Sequence, residues 1–227
     1  MLHFIKIELR KNHMKHYIQA SMVASIVLLV FIYFVAFVAQ VEQEMGFQQY
    51  QNIYLLTSIV WMIFFSIVTA WMYCRVVVTA LEEHEYRSSK LKASLFSRMI
   101  WMLCFSTIAM LCSIIPSFVV FSVTETFFPI VHDKLTADVM FTVIKTYLVF
   151  TCCVNGIGMI AMRVGFMKKS TFMTILTAVV LCAVLGNVFI AGYGNDQMNV
   201  ILSGVMIAAV LIVFLELWGT VTRLQAR

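Results

Sequence analysis

The stretch ASMVASIVLLVFIYFVAFVAQV, residues 20–41, has no charged side chain over 22 consecutive positions. About 20 such residues in an α-helix cross the hydrocarbon core of a bilayer. Five more predominantly apolar segments of spanning length follow, at residues 53–74, 99–122, 139–162, 171–191 and 199–219. None of them alternates apolar and polar residues as the strands of a membrane barrel do. The sequence therefore predicts an all-α integral membrane protein, with six transmembrane helices in a single domain, residues 1–227.

The composition of the whole chain agrees with this prediction. Of its 227 residues, 62% are hydrophobic and only 12% are charged, whereas a soluble domain is roughly 45–50% apolar and about 25% charged. A globule of this size could not remove so much apolar surface from water. Soluble enzymes, transcription factors and secreted disulfide domains are therefore excluded. The six cysteines all fall within the spans or at their edges, so they are expected to be packing residues.

Lysine and arginine are distributed unequally between the segments that join the spans. With a cytoplasmic N-terminus, 14 of the 16 basic residues lie on the cytoplasmic side: Lys6, Arg10, Lys11, Lys15, Arg75, Arg87, Lys90, Lys92, Arg98, Arg163, Lys168, Lys169, Arg223 and Arg227. The outer segments are acidic instead, with Glu42, Glu44, Glu125, Asp133, Asp138 and Asp196. Because cytoplasmic loops carry an excess of Lys and Arg, we expect both termini in the cytoplasm and a basic face toward anionic lipids. The basic residues are spread over four short segments, which argues against binding to nucleic acid.

The 19 residues before the first span combine an apolar stripe with charges. Leu2, Ile5 and Leu9 recur on one helical face, and the charged residues beside them are Lys6, Glu8, Arg10 and Lys11. This pattern is typical of a helix that lies in the membrane interface. A basic leader that only sets the topology is the alternative.

The longest segment outside the spans, residues 75–98, is too short for a soluble domain, which needs at least about 40 residues. Any ATP hydrolysis must therefore belong to a partner chain. In this segment the acidic residues precede most of the basic ones, the order that the helix dipole favours. The segment predicts a short amphipathic helix parallel to the membrane, with a solvated loop as the alternative. Its charges available to a cytoplasmic partner are Glu82, Glu83, Glu85, Arg87, Lys90, Lys92 and Arg98.

Both cytoplasmic segments resemble those of a known family. The sequence Ile7-Glu8-Leu9-Arg10-Lys11 is similar to the E-L-K-K opening of small ABC-2-type transporter permeases, in which an interfacial helix precedes the first span. The segment Glu82–Arg98 resembles the coupling region of that family, an acidic stretch and a leucine-rich turn ending in Ser-Arg, here Ser97-Arg98. Serine and Phe96 stand where the family commonly has Gly and Pro. Six spans and cytoplasmic termini extend the resemblance over the whole chain.

This resemblance implies the membrane subunit of an ATP-driven bacterial exporter for hydrophobic or amphipathic substrates, such as antimicrobial peptides, against which it would give immunity. It implies a homodimer or a heterodimer with a second permease, in the bacterial cytoplasmic membrane. Cytoplasmic ABC ATPase subunits would bind ATP and Mg, and Glu82–Lys92 would transmit their closure to the helices. No catalytic residue, metal site or cofactor is expected in the chain itself.

Two other functions fit part of the sequence. A six-helix solute-binding subunit of an importer would share the span count, but it would show a compact polar pocket, which the sequence does not indicate. A CAAX-type intramembrane protease is suggested by Glu82-Glu83-x-x-x-Arg87 and Phe128-x-x-x-His132, which match its EExxxR and FxxxH motifs. The third span separates these motifs in the chain and would place them on opposite membrane faces.

Few polar residues interrupt the spans, and four of them are candidates for a pathway or a gate: Pro116, Lys145, Asn155 and Glu216. Pro116 should kink the third span. Lys145 either extends its ammonium toward the outer surface or provides a cation near the outer end of a pathway. Asn155, in the sequence NGIG, permits close helix approach, and Glu216 could pair with Arg75 if their span ends are adjacent. No group of polar residues near the middle of the spans is evident, which favours an apolar or amphipathic substrate.

Overall fold

A computed structural model describes residues 14–42, 49–82, 91–131, 133, 136–168, 170–192 and 195–225. These ranges contain helices and no strand. The helices are α1 (Met14–Glu42), α2 (Tyr50–Glu82), α3 (Leu91–Phe127), α4 (Ala137–Lys168), α5 (Thr171–Gly192) and α6 (Asp196–Gln225). All six are long and apolar enough to cross a membrane, over Ser21–Val41, Tyr50–Cys74, Phe96–Phe127, Ala137–Lys168, Thr171–Ala191 and Gln197–Gly219. Within the described residues, the prediction of an all-α fold with six helices long and apolar enough to span a membrane is confirmed.

Helices α2 and α3 are among those that continue beyond the spans predicted from the sequence. Helix α2 continues from the predicted span end at Cys74 to Glu82, and α3 begins at Leu91, before the predicted span start at Met99. At about 1.5 Å per residue, each of these extensions is roughly 12 Å long. The predicted coupling helix falls mainly on residues 83–90, outside the described residues, and residues 91–98 belong to α3. The predicted interfacial helix falls on residues 1–13, also outside them, and residues 14–19 belong to α1.

The described residues form two compact units, and the division falls within α2, α3 and α4. The described residues of unit 1 fall within 62–107 and 151–225, and those of unit 2 within 14–61 and 108–150. The core of unit 1 is rich in methionine and consists of Tyr73, Met99, Met102, Met159, Met162, Val213 and Leu217. Methionine is flexible and fills irregular gaps between helices.

Two glycines of α4 bring it close to other helices in unit 1. A Cβ atom on Gly158 would lie 2.9 Å from Thr69 Cγ2 and 3.2 Å from the ring of Tyr73, both on α2. A Cβ atom on Gly156 would lie 2.7 Å from Met206 Sδ on α6. Small residues permit such contacts between membrane helices. The close approach predicted from the NGIG sequence is present.

The core of unit 2 is aromatic. Phe121 of α3 contacts three tyrosine rings, with centroids 5.3 Å away for Tyr33, 6.4 Å for Tyr50 and 5.8 Å for Tyr54. These three pairs meet edge to face, an arrangement that aromatic quadrupoles favour. The rings come from α1, α2 and α3, so the aromatic residues pack these helices together within unit 2.

Candidate functional site

In unit 2, hydroxyl groups of α3 contact α1. Ser117 Oγ lies 3.0 Å from Ser25 Oγ and 2.8 Å from the carbonyl oxygen of Ser25. Further along α3, Thr124 Oγ1 shares a hydrogen bond with the hydroxyl of Tyr33. In a membrane the hydrophobic effect does not draw one apolar helix toward another, so interhelical hydrogen bonds of this kind contribute to association.

The first part of α2 carries four hydrogen-bonding side chains on one helical face: Tyr50, Tyr54, Ser58 and Trp61. Tyr54 and Ser122 of α3 share a hydrogen bond of 2.9 Å between their hydroxyls, and Trp61 Nε1 donates to Ser113 Oγ at 3.0 Å. Ser58 Oγ lies 3.0 Å from the hydroxyl of Tyr147 on α4. The spacing of these residues is visible in the sequence, but a search for apolar runs overlooks it because it counts Tyr and Trp as apolar.

Glu125 lies two residues before the end of α3, and its side chain is 4% exposed. Its Oε2 atom accepts three hydrogen bonds: from the Tyr50 hydroxyl at 2.7 Å and from the backbone N–H groups of Ile130 at 3.1 Å and Val131 at 3.3 Å. This single oxygen therefore joins the start of α2 to the segment after α3. The sequence predicts that Glu125 belongs to an acidic segment between spans, whereas its side chain is buried and the residue lies within α3.

A second carboxylate contacts the start of α2. Asp133 Oδ2 accepts a hydrogen bond of 3.2 Å from the backbone N–H of Tyr50, the first residue of that helix. The first N–H groups of a helix have no partner within it, and a negative charge beside them is favourable. Tyr50 is therefore bonded to Asp133 through its backbone and to Glu125 through its side chain.

The other oxygen of the Glu125 carboxyl group has a different environment. Oε1 is buried and has no hydrogen-bond partner among the described residues. A buried acceptor without a donor costs roughly 1–3 kcal/mol, and more when it is charged. Among acidic residues whose side chains the structure describes, Glu125 alone is buried. Since ionisable residues buried in membrane proteins usually serve a function, Glu125 and its contacts are the candidate functional site.

Unit 1 contains a smaller polar cluster around Asn155 of α4. Asn155 Nδ2 donates to Thr107 Oγ1 at 2.9 Å and to the carbonyl oxygen of Thr151 at 3.1 Å, and its Oδ1 accepts from Ser106 Oγ. This cluster is not evident from the sequence because Asn155 lies 48 positions from Thr107 and 49 from Ser106. The amide of Asn155 links two helices, and its predicted role in a gate stays a prediction.

Glu216 of α6 forms an ion pair with Arg163 of α4. Arg163 Nε on α4 donates to Glu216 Oε2 at 2.8 Å, and the two side chains are 21% and 52% exposed. The predicted partner of Glu216 is Arg75, whose side chain lies outside the described residues. The observed ion pair links α4 to α6 within unit 1.

The two remaining pathway candidates lie in unit 2. Helix α3 continues through Pro116 from Leu91 to Phe127, so the proline does not end it, and the predicted kink stays a prediction. Lys145 is exposed on α4, with its Nζ atom 5.1 Å from the ring centroid of Phe141 one turn earlier. A cation at this distance from an aromatic face is attracted by the ring quadrupole.

The predicted coupling residues are only partly within the described chain. Glu82 ends α2, and Lys92 and Arg98 lie in the first turns of α3. Four predicted coupling residues lie outside the described residues: Glu83, Glu85, Arg87 and Lys90. So do the four charged residues of the predicted interfacial helix: Lys6, Glu8, Arg10 and Lys11.

No group of three or more His, Cys, Asp or Glu side chains that could hold a metal ion occurs among the described residues. No protein family, curated protein or solved structure was found to match the chain. Its function is therefore inferred from its own residues.

Proposed function

We propose that the chain is the membrane subunit of an ATP-driven exporter for hydrophobic or amphipathic substrates, with ATP and Mg bound by separate cytoplasmic ATPase chains. The observation that carries this proposal is that α2 and α3 continue past the spans predicted from the sequence, α2 to Glu82 and α3 from Leu91, into the segment 75–98. Extended helices give a partner that binds this segment a direct mechanical connection to the spans. The resemblance of the segment to the coupling region of ABC-2-type permeases supports the same function.

Packing at the start of α3 supports a route for this coupling within unit 1. The ring of Phe96 lies 4.6 Å from the ring of Phe214 and 4.6 Å from that of Trp218, both on α6. The Arg163–Glu216 ion pair then joins α6 to α4. A displacement of segment 83–90 by an ATPase would move the start of α3, and these contacts would pass the movement to α6 and α4.

The expected setting is the bacterial cytoplasmic membrane, with both termini in the cytoplasm and the permease paired with itself or with a second permease. Apolar side chains dominate the exposed surface of the described helices. Only 17% of the α6 span and 28% of the α1 and α5 spans is buried, which leaves large faces for lipid or a second subunit. Such faces suit a substrate that partitions into the bilayer. Immunity to an antimicrobial peptide is the biological role that this chemistry favours.

The proposal is tested by co-expressing the chain with the products of the neighbouring genes, among which it predicts an ATPase, and purifying the tagged permease. We expect the ATPase to co-purify and its activity in nanodiscs to depend on the permease. Replacing Glu82 and Glu83 by Lys should abolish both, while a matched double reversal at Asp138 and Asp196 should not. If no ATPase co-purifies, or if the Glu82/Glu83 variant keeps normal coupled activity, the chain is not an exporter subunit of this type.

A further inference from the structure

We propose that unit 2 contains a binding site for an organic ammonium or guanidinium group, with Glu125 Oε1 as its acceptor. This site is independent of the proposed exporter function. Ligand binding to it can be measured on the chain alone, without an ATPase. The site consists of the Glu125 carboxyl group, the tyrosines beside it and the segment that follows α3.

The two oxygens of Glu125 have unequal hydrogen bonding. Oε2 accepts from one hydroxyl and two backbone N–H groups, while Oε1 is buried and accepts none among the described residues. Buried polar groups in native proteins nearly always have a partner, and each exception calls for an explanation. A carboxylate oxygen can only accept, so the missing partner must be a donor.

The surroundings of the carboxyl group favour a cationic donor. Tyr50, whose hydroxyl bonds to Glu125, has its ring centroid 6.4 Å from that of Phe121 and 6.5 Å from that of Tyr54. Aromatic faces attract ammonium and guanidinium groups, and the attraction grows when water is excluded. A charge-assisted hydrogen bond to the carboxylate adds to it.

A metal ion fits this position poorly. Calcium takes six to eight oxygen ligands, whereas one free carboxylate oxygen is available and no cluster of three acidic, His or Cys side chains occurs in the described chain. An organic cation needs only one or two acceptors and gains from the rings. The ligand class is therefore an amine or guanidine attached to an apolar body.

The segment after α3 lies against the same carboxyl group. Ile130 and Val131 are bonded to Oε2 of the same carboxyl group through their N–H groups, and Phe128, two residues before Ile130, is 78% exposed. Two backbone hydrogen bonds are a modest restraint, so this segment can yield to admit a ligand. Binding at Oε1 and displacement of residues 128–131 should therefore occur together.

The test is calorimetric titration of the full chain in phosphatidylcholine nanodiscs with octylammonium, with octanol and octyl sulfate as neutral and anionic probes of the same chain length. We expect saturable binding of octylammonium only, above the signal from empty nanodiscs. Glu125→Gln should weaken it at least about tenfold, the loss of one charge-assisted hydrogen bond. Asp138→Asn, which removes the same charge from an exposed position, should leave it unchanged.

Two further variants make the result decisive if Glu125→Gln does not fold. Tyr50→Leu, which keeps the carboxylate but removes the ring, should weaken binding at least about threefold, whereas Phe141→Leu, which removes an exposed ring elsewhere in unit 2, should not. Equal losses in Glu125→Gln and Asp138→Asn would indicate a general charge effect and overturn the proposal. Lys134, nine positions after Glu125 in the sequence, is a basic residue outside the described ones. Binding that appears only in Lys134→Gln would also overturn the proposal, since the lysine of the chain itself would then be the occupant.

Discussion

The hydroxyl of Tyr50 donates a 2.7 Å hydrogen bond to the buried Oε2 of Glu125, which lies 75 positions later in the chain. The same oxygen accepts the N–H groups of Ile130 and Val131, and the N–H of Tyr50 is bonded to Asp133. The first residue of α2 is thus tied to the end of α3 and to the segment between α3 and α4. A change at either end of the Tyr50–Glu125 bond should affect the other.

Tyr50→Phe should lower the free energy of unfolding by about 1–3 kcal/mol, because it removes a donor from a buried carboxylate. Denaturant unfolding in detergent micelles measures this value. In a double-mutant cycle with Glu125→Gln, we expect a coupling energy of about 1 kcal/mol or more, since the two side chains are in direct contact. Strictly additive effects would show that the hydrogen bond contributes nothing to stability.

Gly158→Ala should destabilise the protein by about 1–3 kcal/mol, the usual cost of overpacking. The new Cβ atom would lie 2.9 Å from Thr69 Cγ2 and 3.2 Å from the Tyr73 ring, and both side chains are buried. Gly204→Ala in α6 is the matched control, because nothing lies within 4 Å of the added atom. That change should be neutral or stabilising by up to about 1 kcal/mol, from helix propensity alone. The same unfolding assay separates the two, and a Gly158→Ala protein as stable as Gly204→Ala would mean that α2 and α4 are not in close contact.

The sequence predicts the six helices well because one local property, a long apolar run, determines them. It does not predict the position of Glu125, since an acidic residue next to an apolar run looks like the start of a loop. Only the contact with Tyr50, on another helix, makes a buried carboxylate at that point stable. The partner of Glu216 is not predictable for the same reason. Arg163 is 53 positions away, and neither segment of sequence indicates which helices are neighbours.

The Arg163–Glu216 ion pair should contribute little to stability, at most about 1 kcal/mol, because Glu216 is half exposed. Glu216→Arg should weaken the protein through repulsion between like charges, and Arg163→Glu should do the same. The double variant, with the charges exchanged, should recover most of the loss. Thermal unfolding of the three variants in detergent checks this, and a double variant no better than the worse single one would contradict a specific contact between the two side chains.

Lys145 provides a test of how a cation is accommodated within an apolar span. It is exposed on α4, within the span Ala137–Lys168. It lies about 12 Å along the helix from Ala137, and its ammonium lies over the ring of Phe141. A long lysine side chain can carry its charge along the helix toward the membrane surface, whereas an aspartate at the same position is too short to do so. Lys145→Gln should therefore change stability by less than about 0.5 kcal/mol. Lys145→Asp should cost about 2 kcal/mol, less than the roughly 2.5–3.5 kcal/mol of a charge at the bilayer centre, because position 145 lies nearer to one end of the span.

The control for this pair is Lys168→Asp, at the exposed last residue of α4, where a carboxylate can remain in water. It should cost only about 0.3–1 kcal/mol, from the unfavourable helix dipole. Unfolding in nanodiscs is the appropriate measurement, because the difference depends on a bilayer being present. If Lys145→Asp is as well tolerated there as Lys168→Asp, the side chain at position 145 faces water or a polar partner, and α4 does not present Lys145 to lipid.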